Sequence, residues 1–148
     1  DSISDTLKHI KRVNHLLILV TKELLNRAIK HDDSKLVSPE KEMFDTLNIK
    51  LPGLSYSTPE YEASKEDLKA ALAHHYARNT HHPEHFKDGI NDMDLFDLIE
   101  MFFDWKASSE RQNDGNILKS IEANKERFNI SNQLTKIFEN TALSCDGW

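Results

Sequence analysis

Five of the chain's eight histidines fall in one stretch, Leu72 to Phe86, which reads LAHHYARNTHHPEHF: His74, His75, His81, His82 and His85. Neutral imidazole is the commonest metal ligand, and its pKa leaves it deprotonated enough to bind near pH 7. If a helix ends near Arg78, His75 sits in its last turn, with Asn79 one turn further on the same face. His81 and His82 then follow on a short irregular segment stiffened by Pro83. Three imidazoles would thus converge from a helix end and the loop beyond it. The plainer reading is a His-rich surface, or histidines favoured by the dipole at a helix C-terminus. His74 lies about 100° around the helix from His75, which leaves it, with His85, at the periphery of any ligand set.

A second candidate is the adjacent pair His31-Asp32, with Lys35 three residues after the carboxylate. A neighbouring His and Asp can bind one ion together, and the carboxylate can bridge to a second. A lysine one turn away suits a phosphate oxygen as a point charge. On its own the pair is weak, because solvated charges at a helix boundary look the same. Asp104 is the best closing carboxylate. It lies between Phe103 and Trp105, with Glu100 one turn before it, and a buried carboxylate needs a partner such as a metal. A solvated acidic face is the alternative.

The first helix offers His9 or His15. In a straight helix either would stand roughly 24–33 Å from His31, so sharing an ion requires the chain to bend between Val20 and Lys30.

The elements that must position these residues read as helices throughout. Ile3, Leu7, Ile10, Leu17, Leu24 and Ala28 keep helical spacing, and Leu16 to Val20 fill the other faces, which predicts a helix central to the core. Ser38-Pro39-Glu40 signals a cap followed by a helix to about Leu47. Leu51-Pro52-Gly53-Leu54 reads as a loop. Thr58-Pro59 starts the next helix, with Ser64 and Asp67 as a further cap signal, and that helix runs to about Arg78. Asp88-Gly89 is a turn.

Met93 to Arg111 is amphipathic, with Leu95, Leu98, Ile99 and Phe102 as its buried stripe and Asp97, Glu100 and Asp104 as a carboxylate row. Asp114-Gly115-Asn116 breaks it. Asn116 to Phe128 and Ser131 to Leu143 complete the chain. No period-two pattern survives, and only four Gly and four Pro are present. The expected fold is all-α, a single domain over residues 1–148 with about six to seven helices.

A formal charge of −6 argues against an extended nucleic-acid surface, which needs clustered Lys and Arg. The one cysteine, Cys145, suits a reducing compartment. The longest apolar run, Leu16 to Val20, is too short to span a bilayer, and no signal-peptide pattern is visible. A cytoplasmic protein with no membrane partner is expected. Its oligomeric state is open.

The order of a helical His, an HD pair and a distant Asp on a later helix resembles the HD-domain superfamily of metal-dependent phosphohydrolases. The resemblance maps to His9, His31-Asp32 and Asp104, and favours His9 over His15 because an apolar residue, Val13, follows it by four. HDDSK is similar to the form in which HD is followed by two residues and Lys. DTLKHIKRV, HDDSKL, HHYARNTHHPEHF, DGIN and EMFFDWKA, with Arg111 after it, look like the blocks of short, uncharacterised HD-like proteins of bacteria and their phages, over most of the chain.

The resemblance implies an HD-like helical bundle. It implies one or two divalent ions (Mn, Fe, Zn or Mg) held by His9, His31, Asp32, His75, His81, His82 and Asp104. Asp32 and Lys35 would be catalytic, and Lys35, Arg78, Asn79 and Arg111 would bind a small phosphorylated substrate such as a nucleotide. Asn79 and Glu84 would orient imidazoles. The glycine-rich signature of cyclic-dinucleotide phosphodiesterases is absent. A di-iron oxygenase on the same scaffold, and a non-catalytic metal-containing binding module, are the alternatives.

Overall fold

A computed structural model describes residues 1–50, 59–111, 115–145 and 147–148 of the chain. Among these residues there are six α-helices and no strand, as the sequence predicts. No helix among them is long and apolar enough to cross a membrane. The expected loop at 51–54, the Thr58 cap and Asp114 lie outside the described residues. The chain falls into two compact units, Asp1–His31 and Asp32–Trp148.

The first unit is a single helix, α1 (Ser2–Lys30), capped by the Asp1 carboxylate, which accepts from the Ser4 N–H at 2.9 Å. It is unbroken over 29 residues, and the expected bend between Val20 and Lys30 does not occur. Nothing in that segment, neither Gly nor Pro, would break the hydrogen-bond ladder. None of its residues is buried, so it is not the core helix that its composition predicts. The run Leu16 to Val20 sweeps the full circumference, so its periodicity names no single inward face.

The second unit holds α2 (Glu40–Lys50), α3 (Pro59–Arg78), α4 (Leu95–Glu110), α5 (Ile117–Phe128) and α6 (Asn132–Ser144), with short 3-10 turns at Asp33–Leu36, Pro83–His85 and Gly89–Asp92. Helix α2 packs on α3, α4 on α5, and α5 on α6. Ser64 lies within α3 and is buried, so it starts no separate helix. Asn116 and Ser131 cap α5 and α6, each accepting a backbone N–H from the first turn. The core joins Met101 and Phe102 of α4 to Ile121 of α5, Ile130, and Phe138 and Ala142 of α6. Phe102 stacks on Phe138 at 5.6 Å between ring centroids, and Trp105 meets Phe138 edge-on at 5.8 Å.

Helix α4 differs from its predicted amphipathic stripe. Phe102 is buried, but Leu95 is 74% exposed and Ile99 37%. The acidic row turns inward instead. Asp97 is buried, because it closes a capping box with Asp94 and accepts from the Thr80 hydroxyl at 2.6 Å. Apolar count alone misses this, since partners supplied by a distant segment decide which face is covered.

Candidate metal centre

Helix α1 ends at His31, and Asp32 follows in the left-handed region at φ 58°. Aspartate tolerates that conformation better than most residues, at a cost of about 1 kcal/mol. The 3-10 turn Asp33–Leu36 then sets Ser34 and Lys35 beside Asp32. Lys35 Nζ donates to Asp32 Oδ2 at 2.7 Å.

Helix α3 delivers His75 from its last turn. Asn79 caps this end by donating its amide Nδ2 to the His75 carbonyl at 2.8 Å. His81 and His82 follow after Thr80, and the buried Pro83 opens the next 3-10 turn. One ligand atom each from Asp32, His75, His81 and His82 lies within 4.8 Å of the others, and a His81 nitrogen lies within 4.8 Å of an Asp104 oxygen. His75 and His81 are buried, Asp32, His82 and Asp104 partly so.

Two glutamates decide which way the rings face. Glu40 is fully buried at the start of α2, after a cis Ser38–Pro39 bond, and its Oε2 lies 3.0 Å from His75 Nδ1. A carboxylate can only accept, so Nδ1 carries the proton and Nε2 presents a lone pair. The Asn79 amide is also 3.0 Å from His75 Nδ1, but its two hydrogens are met by Ser34 Oγ at 3.0 Å and the His75 carbonyl. Glu100 of α4 does the same for His81, with Oε1 3.1 Å from Nδ1.

The opposite nitrogens then converge. His75 Nε2 lies 3.3 Å and His81 Nε2 3.5 Å from Asp32 Oδ1, and His75 Nε2 lies 3.0 Å from His82 Nε2. Ligands about 2.0–2.1 Å from one ion stand about 3.0–3.4 Å apart, so these spacings suit a shared cation. With the lone pair on His75 Nε2, His82 Nε2–H is the donor in their contact, and a cation at the centre would take the place of that proton. The cluster could therefore hold a metal ion.

Electrostatics keep it ready to do so. Burial pushes His82 down to about 3, helped by the neighbouring His81 and His75 and opposed by Asp104 and Asp32, so it is neutral near pH 7. Burial pushes the Glu40 carboxyl up, but hydrogen bonds from Ser34, His74 and His75 together prevail and hold it below its ordinary value. Glu40 stays ionised and keeps its grip on both histidines.

The predicted site residues separate accordingly. Asp32, His75, His81, His82 and Asp104 are gathered in the second unit, with Lys35 and Asn79 beside them. His31 is the C-cap of α1 and belongs to the first unit. His9 is corrected: 22 residues of unbroken helix put it about 33 Å from His31, so the two cannot share an ion within one chain. His15, 16 residues before His31, is about 24 Å away for the same reason. His74 gives Nδ1 to Glu40 Oε1 at 2.8 Å, and His85 gives Nδ1 to the Tyr76 carbonyl at 2.8 Å, so both act as supports. Glu84 pairs with Arg127 at 2.6 Å. Arg78 and Arg111 are exposed at the C-terminal ends of α3 and α4.

Sequence reasoning missed Glu40 and Arg127. Glu40 looked like an ordinary acid in a helix first turn, and its one visible signal was the Ser-Pro-Glu cap.

The profile of a family of unknown function, DUF5662, matches residues 1–144. The chain belongs to the DUF5662 family. The match takes in every element of the candidate centre, from Asp32 to Asp104. No curated protein and no solved structure matches the chain.

Proposed function

We propose that this DUF5662 protein is a metal-dependent phosphohydrolase acting on a small phosphoester such as a nucleotide, in the manner of the HD-domain superfamily. One observation carries the reading: the convergence of His75 Nε2, His81 Nε2 and His82 Nε2 around Asp32, with Lys35 on the second oxygen of the same carboxylate. Three imidazoles and a carboxylate suit a first-row divalent ion such as Zn²⁺, Fe²⁺ or Mn²⁺ better than Mg²⁺, which prefers oxygen ligands. A bound divalent ion supplies a lowered pKa for water and polarisation of the phosphoryl oxygen.

The chain's own residues do the rest. Asp32 would hold the ion, and its carboxylate could also serve a second one. Glu40 and Glu100 hold the Nδ1 protons of His75 and His81, which fixes the tautomers and raises ligand basicity. Asp104 adds negative charge beside His81 and His82 and is the natural ligand for a second ion. Lys35 offers a point charge to the phosphate, whose negative charge grows in the transition state. Its present bond to Asp32 shows its reach. A cytoplasmic site of action fits a protein whose described helices cannot cross a membrane.

The test is elemental analysis of purified protein, then a hydrolysis panel of nucleotides and phosphodiesters with added metals. The expected result is a bound first-row ion and turnover of at least one phosphomonoester or diester, both lost in Asp32→Ala. Full activity in metal-free D32A protein would overturn the reading. The imidazole-rich donor set also suits iron, so a coloured protein that turns over only with O₂ would indicate an oxygenase. Metal uptake without any turnover would indicate a binding module.

A further inference from the structure

A cavity of about 230 Å³ adjoins the candidate centre. His82 and Asp104 form part of its wall, so anything bound there touches the metal-ligand cluster. Trp105, Asn124, Arg127 and Phe128 line much of the remainder. We propose that this cavity receives the alcohol portion of the substrate, and that this portion carries one flat, polar, uncharged ring of nucleobase size. The proposal rests on the phosphohydrolase reading and adds the residues that select the substrate.

Size is the first argument. Pockets that enclose drug-sized ligands span about 300–1,000 Å³, and this one is smaller. That volume suits a single ring with its sugar better than a dinucleotide.

The aromatic wall is the second. The Trp105 and Phe128 rings lie parallel, 1° between planes and 6.3 Å between centroids. Both rings line the cavity, and an aromatic lining favours a flat partner, because stacking needs a planar surface and tolerates any base.

Polar groups supply the third argument. The Asn124 amide donates to the Ser120 carbonyl at 2.9 Å, which fixes its plane and leaves its oxygen as an acceptor. The Arg127 guanidinium lies 4.6 Å from the Phe128 ring centroid and donates to Glu84 Oε1 at 2.6 Å. Both contacts hold the fork in place, and the Glu84 bond engages one of its five N–H groups. Glu84 also offsets its charge. With Arg127 offset by Glu84 and Asp104 on the same wall, the cavity presents a donor and an acceptor but no net positive charge, which suits a neutral hydrogen-bonding ring and disfavours a second phosphate.

The experiment uses nucleosides, which carry no phosphate to hydrolyse. Trp105 and Trp148 are the only tryptophans, and Trp148 stacks on Phe103 rather than lining the cavity. In Zn²⁺-loaded protein carrying Trp148→Phe, Trp105 emission is titrated with adenosine, guanosine, cytidine, uridine and ribose. At least one nucleoside is expected to change the emission saturably, and ribose is not. Arg127→Ala and Asn124→Ala should each weaken that nucleoside at least fivefold with zinc content unchanged. Failure of every nucleoside to bind, ribose binding as tightly, or full affinity in both variants would overturn the proposal. Nucleoside binding without turnover on any phosphoester would leave the cavity assigned and remove the hydrolase reading. Turnover with no nucleoside binding would do the reverse.

Discussion

Glu40 Oε2 lies 3.0 Å from Nδ1 of His75, across 35 positions of sequence, and that contact fixes which nitrogen of His75 faces Asp32. The consequence extends past one ring. Glu40 Oε1 also meets His74 Nδ1 at 2.8 Å, and Ser34 Oγ donates to Oε2 at 2.8 Å, so one buried carboxylate ties the start of α2, the end of α3 and the turn after Asp32 together.

Replacing Glu40 should therefore reduce metal binding without removing a ligand. Glu40→Gln is expected to weaken metal affinity about 10–100-fold, because the amide can accept through only one atom and loses the charge that raises imidazole basicity. Glu40→Ala should in addition cost about 1–3 kcal/mol of stability, since the buried His75 N–H and the half-buried His74 N–H lose their acceptor. Competition titration against a chelator reads the first effect and denaturant melts of metal-free protein read the second. Wild-type affinity in both variants would show that Glu40 orients nothing.

Asp32 combines a proposed ligand role with a left-handed backbone, and the two can be separated. Glycine adopts φ near +58° at no steric cost, whereas alanine pays about 1 kcal/mol there. Asp32→Gly and Asp32→Ala should both lose the metal, yet metal-free D32G should be more stable than metal-free D32A by about 1 kcal/mol. Chemical denaturation of the two variants side by side decides it. Equal stability would mean that the left-handed turn is not kept in the variants.

The chain showed its helices more plainly than its site. Boundary signals such as the Asp114-Gly115-Asn116 break, Ser131 and Pro59 are local, so α5, α6 and the limits of α3 were legible. The gathering of His75, His81 and His82 was legible too, because all three lie within eight residues of a helix end. Glu40 was not, since its burial depends on α3 covering it. The inward turn of Asp97 and Glu100 was hidden for the same reason, their partners Thr80 and His81 being supplied from another segment. The straight course of α1 is legible in the absence of Gly and Pro between Ile3 and Lys30, and only a shared ion with His9 or His15 calls for a bend there.

Acid should destabilise the metal-free protein in a window set by His82. Its folded pKa is about 3, against 6.5 for an ordinary histidine, so between those values the unfolded chain binds the proton that the folded chain refuses. Stability rises with pH wherever the unfolded state holds more protons, so it should fall steadily as pH drops from 6.5 towards 3. Glu40 adds to this at the acid end. Its lowered carboxyl contributes stability above its ordinary 4.5 that is lost as pH falls through the folded value. Thermal melts across pH 4–7 should show a flatter slope for His82→Gln than for wild type. Parallel slopes would mean that His82 is not buried neutral.

The correction of His9 carries its own test. Unbroken helix from Ser2 to Lys30 keeps His9 about 33 Å from His31, and its side chain is exposed. His75, His81 and His82 bring their ring nitrogens within 4.8 Å of Asp32. Substituting each histidine with alanine should therefore divide the set in two. H9A and H15A should retain wild-type metal stoichiometry, while H75A, H81A and H82A should each lose most of the bound ion, with affinity reduced by at least tenfold. Circular dichroism separates ligand loss from misfolding, and His75→Gln offers a less disruptive variant at the buried ring. Loss of metal in monomeric H9A protein, with H82A unaffected, would require α1 to bend after all and would restore the first-helix ligand that the resemblance implied. Retention in H9A with loss in H82A would leave the centre assembled around Asp32 by the end of α3 and the loop beyond it.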